Sequence, residues 1–411
     1  MLDLLYEQRA DPLENPANSM NDVELLDYIR SHSGIAVSEE KAMELAAVYS
    51  CLYVLSSSLA QLPLVPMRRQ GKTIKIAMDH ATYDLLCNSP NAWQSSYDWR
   101  ESGQCHAAGW GNAFTCIERN RKGEILELYP ALPWSTSLLK NGNRYVYSCF
   151  DVDRGMEAIQ PEDMIHIRSL GSTSIDWRMG KSPIRQHAET IGLGLAAQKY
   201  GSKFFASGGR ATGLVTPKSS LSKENWGLLK QAWKSAKATF RDDGGEILLP
   251  SELEYQAMTI PPEEAQFIDS RKMTRSEVAG IFNVPSHMIN DLEKATFSNI
   301  SEQAIQFVRH TMMPWVVKWE QELNRKLFSA AERKAGYYVK FNLAGLLRGT
   351  AKDRAEFYSK AINDGWMDRN EVRTLEDLNP RDGLDELLVS VNAVPLSQFG
   401  EDDKTQETPD E

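Results

Sequence analysis

The stretch IFNVPSHMINDLEKATFSNISEQAIQFVRHTMMPWVVKWEQELNRKL, residues 281–327, decides how this chain is built. A helical segment leads into it and stops at Pro285, because a proline pushes the residue before it out of the helical region. A polar loop follows, Asp291 to Ser298, carrying one aromatic, Phe297. Asn299 with Glu302 three residues on is a capping pattern and predicts the start of a long helix. Ala304, Phe307, Val308, Thr311, Trp315, Trp319 and Leu323 recur at helical spacing, so that helix turns one apolar face to a core. Pro314 lies inside it and cannot donate to the His310 carbonyl, which predicts a kink. A capped, kinked helix behind a loop with no titratable cluster reads as a mechanical part.

Upstream, residues 40–60 predict a helix with Leu45, Val48, Leu52, Leu55 and Leu59 on one stripe, ending near Pro63. Leu64–Met67 and Thr73–Ala77 flank Gln70-Gly71 and predict a hairpin. Helices are expected around Tyr83–Cys87 and Ser95–Ala108. Strands are expected at Ala113–Glu118, Glu124–Leu128, Arg144–Phe150 and Met164–Arg168. Residues 184–206 and 222–240 return to helix, Glu246–Thr259 alternates as a strand pair, and a charged helix runs from Pro261-Pro262 to Asn283. A strand at Tyr337–Leu343 and a helical region at 350–378 complete an α+β chain, with residues 1–38 as a polar arm.

At 411 residues, two or three packed subregions are expected. No run approaches 18 uninterrupted apolar residues, which argues against a membrane-spanning helix and against a membrane partner. The N-terminus has acidic residues where a signal peptide needs a basic region, so a cytoplasm-like compartment is expected. The five cysteines, at 51, 87, 105, 116 and 149, lack paired metal spacing and read as reduced, mostly buried thiols. A net charge of −10 argues against wrapping nucleic acid over the whole surface. That average hides nine basic residues against one acid between Lys199 and Arg241, and a last stretch, 401–411, with six acids against one lysine.

In the 222–240 helix, Trp226, Leu229, Trp233, Ala236 and Phe240 fall within an arc of about 80°, while Lys223, Lys230, Lys234, Lys237 and Arg241 share a flanking arc of about 60°. One face packs and the next is a positive ridge. Such a ridge is either a solvated face or a dock for an acidic protein surface or phosphates. No catalytic set emerges. Gly192-x-Gly194-x-x-Ala197 would need a strand before it but continues a helix, so close helix packing explains it better than a dinucleotide. Gly180-Lys181-Ser182 lacks the earlier phosphate-loop glycine, because Ile175 stands there. The histidines show no metal-pair spacing, and Cys105-His106 reads as a buried thiol beside a surface imidazole. No cofactor, no metal and no enzymatic activity are predicted. A nucleic-acid-processing enzyme and a DNA-binding scaffold without a channel remain the alternatives.

Short motifs in a fixed order carry a resemblance. These are Ala46-Ala47-Val48-Tyr49, Leu62-Pro63-Leu64, Asn88-Ser89-Pro90-Asn91, Gly111-Asn112-Ala113-Phe114, Met164-Ile165-His166-Ile167-Arg168 and Gly180-Lys181-Ser182-Pro183. Pro261-Pro262-Glu263-Glu264-Ala265-Gln266-Phe267, Phe282-Asn283-Val284-Pro285, Thr296-Phe297-Ser298-Asn299 and Asn370-Glu371-Val372-Arg373 complete the series. Over about residues 40–385 the chain resembles the portal proteins of tailed bacteriophages. The resemblance implies a ring, a dodecamer in that family, at one capsid vertex of the virion, with double-stranded DNA passing through it. Assembly in the host cytoplasm is implied too, as are contacts with the terminase large subunit, the major capsid protein and a head-tail adaptor protein. It also implies a layout with a flexible arm at 1–39, a wing at 40–183 and stem helices at 184–207 and 263–283. A clip at 208–262 would lie between the stems, a channel loop region at 284–298, the long kinked helix and a wing strand at 299–344, a crown at 345–390 and an acidic tail at 391–411. Asp291, Glu293, Lys294, Thr296, Phe297 and Ser298 would then face the DNA. Lys223, Lys230, Lys234, Lys237 and Arg241 would dock the motor or adaptor.

Overall fold

The computed structural model describes residues 34–71, 73–142, 144–151, 155–170, 177–206, 213–217, 226–227, 230–231, 253–257, 264–291, 297–343, 351–376 and 378–388. The chain divides into two compact units, one ending at Phe341 and one beginning at Asn342. Among the described residues no helix is long and apolar enough to cross a membrane.

The first unit begins with α1 (Glu39–Ala42), capped by the Ser38 side chain, and α2 (Ala46–Ala60). Val37 and Glu39 are buried and Arg185 pairs with Glu39 at 2.7 Å, so the core reaches back into the segment expected to be a free arm. The predicted leucine stripe of α2 is buried throughout. Next, β1 (Leu64–Gln70) and β2 (Thr73–Ile76) form the expected hairpin, and α3 (Thr82–Cys87) follows. α4 (Ser96–Gly109) starts at a capping box in which Ser95 and Asp98 satisfy each other's backbone N–H groups.

β3 (Asn112–Arg119) is central in a sheet ordered β4-β3-β8, with β4 at Ile125–Ala131 and β8 at Met164–Arg168. A second sheet, β5-β6-β7, comprises Thr136–Asn141, Arg144–Asp151 and Gly155–Ile159. Its outer strands, β5 and β7, were not among the expected ones. Asn141-Gly142-Asn143, with Gly142 at φ +61°, is the hairpin signal that marks the β5–β6 turn. β3 reads as a nearly continuous buried run because both its faces are covered. Thr115 accepts from Trp99 Nε1 of α4 at 3.1 Å, while Phe114 packs with Cys149 and Tyr147 of β6.

Short α5 (Pro183–Gln186) and long α6 (Ala188–Ala206) follow. A Cβ at Gly194 would sit 2.8 Å from Thr274 and 3.0 Å from Leu45, so this glycine is a helix-packing contact, as its helical setting suggested. β9 (Gly213–Pro217) pairs antiparallel with β10 (Leu253–Ala257). The described strand within 246–259 pairs with one well upstream, and local alternation cannot reveal a partner so far away in sequence; the first part of the expected strand pair, 246–252, lies outside the described residues. Of the basic helix only 226–227 and 230–231 are described, all helical. α7 (Glu264–Ile281) leads to the decisive stretch, where α8 (Phe297–Gln306), a π-helical segment (Phe307–Met312) and α9 (Met313–Leu327) form one unbroken rod. α10 (Ala330–Lys334) and β11 (Tyr337–Phe341) close the unit, with β11 pairing β1 in the order β11-β1-β2. The second unit contains α11 (Ala351–Asn363) and α12 (Arg369–Leu375). Asn370 of its Asn-Glu-Val-Arg motif is buried and donates to the Arg381 carbonyl and the Asp385 carboxylate, each at 2.8 Å.

Candidate functional site

The turn between α7 and the long rod is made by asparagine chemistry. Asn283 sits at φ 53°, and Val284 N–H reaches back to the Ala279 carbonyl at 2.9 Å while Asn283 N–H reaches Gly280 at 3.1 Å. This is a Schellman stop, with the buried Val284 and Ala279 at its apolar contact positions. Pro285 then prevents the helix from resuming and leads into a 3₁₀ turn, Ser286–Ile289, which ends at Asn290, φ 61°. Among the described residues these two asparagines are the only non-glycine positions with positive φ. The Phe-Asn-Val-Pro motif is thus a helix terminator followed by a second tight reversal.

Asn283 also reaches across to the rod. Its Nδ2 donates to Thr311 Oγ1 at 2.9 Å, and Thr311 Oγ1 donates to the Asn283 carbonyl at 2.6 Å. Thr311 lies in the π-helical segment, so the distortion expected from Pro314 takes the form of a widened turn just ahead of it. The wider turn spreads the loss of the Pro314 N–H over several residues. His287 Nδ1 meets Gln303 Oε1 at 2.7 Å. Between α7, the turn and the rod lies an open groove of about 810 Å³, edged by Lys272, Asp291, His287 and His310.

Beyond the π segment, α9 is bound into both neighbouring sheets. Glu320 accepts from Phe341 N–H at 2.8 Å, and Asn324 accepts from Val339 N–H at 2.6 Å, so both tie down β11. On the other side Lys318 Nζ donates to the carbonyls of Arg168 and Ser169 at 2.9 and 2.8 Å. Burial and the nearby Arg168 push the Lys318 ammonium below its ordinary pKa. Buried Glu322 pairs with Arg325 at 2.7 Å and accepts from His166 N–H. Trp319 meets Trp99 edge-on at 5.5 Å and donates to Gln104 at 2.9 Å.

Three of the ordered motifs converge on one polar node. Asn112 Nδ2 donates to the Gly180 carbonyl at 2.8 Å, and its Oδ1 accepts from Gly180 N–H at 2.7 Å and from His166 Nε2 at 2.9 Å. The other ring nitrogen lies 3.1 Å from Tyr147 OH, from which a neutral imidazole protonated at Nε2 can accept. Burial, then Arg168, Lys326 and Arg325, push its pKa down to about 3. Gly111, at φ +82°, lies against the Lys181 backbone so closely that any Cβ would overlap it. Ser182 caps α5 and donates to the Gly109 carbonyl, so Gly-Lys-Ser-Pro is a structural latch and no phosphate loop. Cys105-His106 departs from expectation. Thiol and imidazole are both half-buried, the imidazole flanked by Trp110 and Trp134 at 5.5 and 5.8 Å, and burial lowers it to about 4. The tryptophans that cover it come from the turn after α4 and from the β4–β5 connection.

The candidate site residues fare unevenly. Asp291 lies at the groove, at the end of the described turn. Phe297 and Ser298 belong to the first turn of α8, so the rod starts two residues before the expected Asn299 cap. Thr296, Ser298 and Asn299 are all residue types suited to an N-cap, and composition alone does not choose among them. Glu293, Lys294 and Thr296 lie outside the described residues, as do Lys223, Lys234, Lys237 and Arg241. Lys230 is helical and exposed. Asn283, Thr311, Asn112 and His166 were not singled out individually, although three of them stand inside the motifs. An asparagine directly before Val-Pro at a helix end is the signal that exposes Asn283.

These features define an α+β protein whose ordered motifs are joints and latches. The phage portal protein family matches residues 46–377, and the chain belongs to that family. A probable portal protein of Streptomyces phage phiC31 is 31% identical over 366 residues, covering 86% of this chain and 79% of that protein. The crystal structure of an HK97-family phage portal protein from Corynebacterium diphtheriae shares the fold, with TM-score 0.56 and 18% identity, over 75% of this chain and 96% of that one. So does a chain in the neck of a native gene transfer agent particle computed with C12 symmetry, with TM-score 0.54 and 20% identity, over 84% and 94%.

Proposed function

We propose that this portal protein works as a non-enzymatic ring subunit at one vertex of the virion capsid. Copies associate head to tail into a closed ring, and double-stranded DNA passes through the centre during packaging and ejection. The observation that carries this reading is the asymmetric mounting of the rod. α9 is bound on both sides to sheets, while the other end of the rod opens directly onto residues 292–296. A rigid rod anchored at one end can present a short segment to a moving polymer without gripping it. A head-to-tail contact closes when its rotation does, and twelve copies is the number supported by the C12 symmetry of the similar neck chain.

On this reading residues 40–183 with the rod form the wing, 184–207 and 263–283 the stem, 208–262 the clip and 345–390 the crown. Asp291, Glu293, Lys294, Thr296, Phe297 and Ser298 border the DNA path. A net charge of −10 keeps a duplex off the walls, which suits sliding. Lys223, Lys230, Lys234, Lys237 and Arg241 dock the terminase large subunit and later the head-tail adaptor protein. The major capsid protein surrounds the wing, and assembly takes place in the host cytoplasm.

Electron microscopy of the purified protein tests the central claim. Closed rings with a central hole are expected, and monomers or open filaments across salt and concentration would overturn it. Reversing Lys230, Lys234 and Lys237 to Glu should leave rings intact and block motor docking; normal packaging by that variant removes the docking role. Shortening 291–298 should impair packaging or DNA retention before assembly. Assembly failing first would make the segment an interface.

A further inference from the structure

The β4-β3-β8 and β5-β6-β7 sheets meet through their middle strands, and a pair of thiols lies at that meeting. Cys116 is on β3, opposite Tyr129 and Met164 in its sheet, and Cys149 is on β6, opposite Thr136 and Glu157. Two residues earlier on each strand, Phe114 and Tyr147 touch ring to ring at 5.8 Å. Side chains two apart share a strand face, so this contact sets Cys116 facing Cys149 across the same interface. Buried Cys149 forms a cluster with Phe114 and Met164, and the half-buried Cys116 packs against it. The two thiols share a hydrogen bond.

We propose that Cys116 and Cys149 form a redox-dependent staple, a disulfide that locks the two sheets when the protein leaves a reducing compartment and meets a peroxide. Cys149 is the attacking sulfur and Cys116 the resolving one. The Cys149 thiolate attacks one peroxide oxygen, the O–O bond breaks, and water leaves once protonated. Cys149 is then a sulfenic acid. Cys116 sulfur next attacks Cys149 sulfur, the S–O bond breaks, and a second water departs with the Cys116 proton. In sum, two thiols are oxidised and one peroxide is reduced to two waters. Thiols already in hydrogen-bond contact need only a small closure to reach the S–S separation of about 2.05 Å.

The other thiols are poor competitors. Burial pushes Cys51 up to about 12, Cys105 up to about 11, and Cys87 upward as well. Cys149 moves down instead, chiefly because Cys116 hydrogen-bonds to it, although burial opposes this. Reactivity follows the thiolate, so oxidation is directed to this pair. The chemistry is independent of the channel reading; only its biological use, stiffening a particle after release from the cell, draws on it.

The test is peptide mapping of the full-length protein, reduced, desalted, treated with hydrogen peroxide and alkylated without reductant. The expected result is a linked Cys116–Cys149 peptide pair, two hydrogens lighter than its parts and released by dithiothreitol. The unfolding midpoint should rise after oxidation in the wild type and stay put in Cys116→Ser. Exposed Met156 and Met273, 63% and 65% accessible, report in the same digest that the dose was sufficient. Both thiols still alkylated at that dose would overturn the proposal. So would Cys149 sulfinic acid beside an alkylated Cys116, or equal linkage through Cys51, Cys87 or Cys105. If Cys116→Ser does not fold, the wild-type map decides alone.

Discussion

The two halves of the long rod are held in opposite ways. From Met313 to Leu327 the helix is fixed by Lys318, Glu320, Glu322 and Asn324 to strands on both sides, and Trp319 is sealed against Trp99. From Glu302 to Gln306 the side chains are half-buried or exposed, and among the described residues Gln303 meets His287. Between them lies the π segment, pinned through Thr311 to Asn283. The anchored half sets position, the other half sets direction, and the joint between them is a pair of polar side chains. Local stability in such a rod should fall from the C-terminal end toward the N-terminal end.

The largest effect belongs to the anchored half. Trp319→Ala should cost the first unit about 4 kcal/mol in urea unfolding, because it empties a fully buried site at the meeting of α4 and α9. A loss under about 1 kcal/mol would mean that α9 is not the anchor.

Next comes pH. His166 backs onto α9 through Glu322 and has a folded pKa near 3, against about 6.5 when unfolded. The unfolded chain therefore takes up a proton first as pH falls. Stability is complete above about pH 6.5 and erodes toward pH 3, by up to about 1.4 kcal/mol per pH unit. Urea titrations at pH 7, 6 and 5 should show this slope, and His166→Gln should lessen it to the share left by His106, whose folded pKa is about 4. A slope unchanged by that substitution would place the acid sensitivity elsewhere.

The joint should be of intermediate strength. Asn283→Ala forces a Cβ-bearing residue lacking asparagine's local bonding into the left-handed region and removes the side-chain bond to Thr311, leaving only the Thr311 bond to the backbone carbonyl, for about 1.5 kcal/mol. Asn283→Gly keeps the backbone at ease and should cost roughly half as much. Equal costs would show that the conformation matters little and the bond to the π segment matters most.

Apolar spacing was enough to locate α2, α4, α6, α7 and the rod, because each buries one stripe over several turns. Short apolar runs located β3 and β8, which are largely buried, whereas β1 and the fully exposed β2 were legible through the Gln70-Gly71 turn between them. Spacing did not reveal the partner of β10, nor β5 and β7, whose half-exposed residues alternate weakly. The site was legible only in outline. The stop at Pro285 and the distortion at Pro314 follow from a missing donor, which a sequence displays. The Asn283–Thr311 bond and the Asn112–His166–Gly180 node join residues 28 to 68 positions apart, and such pairings exist only once the chain has folded.

The smallest effect is the sharpest test of the contrast. Gln303 is half-buried in the less anchored half of the rod, where its Oε1 meets the His287 ring nitrogen. Gln303→Ala should change the stability of the first unit by no more than about 0.5 kcal/mol, the range for surface positions. Hydrogen exchange should nevertheless speed up across 302–306 while 316–327 stays protected, since only the local hold on the loose half is removed. If protection fell equally along the whole rod, the two halves would unfold together. The π segment would then be a packing irregularity rather than a joint.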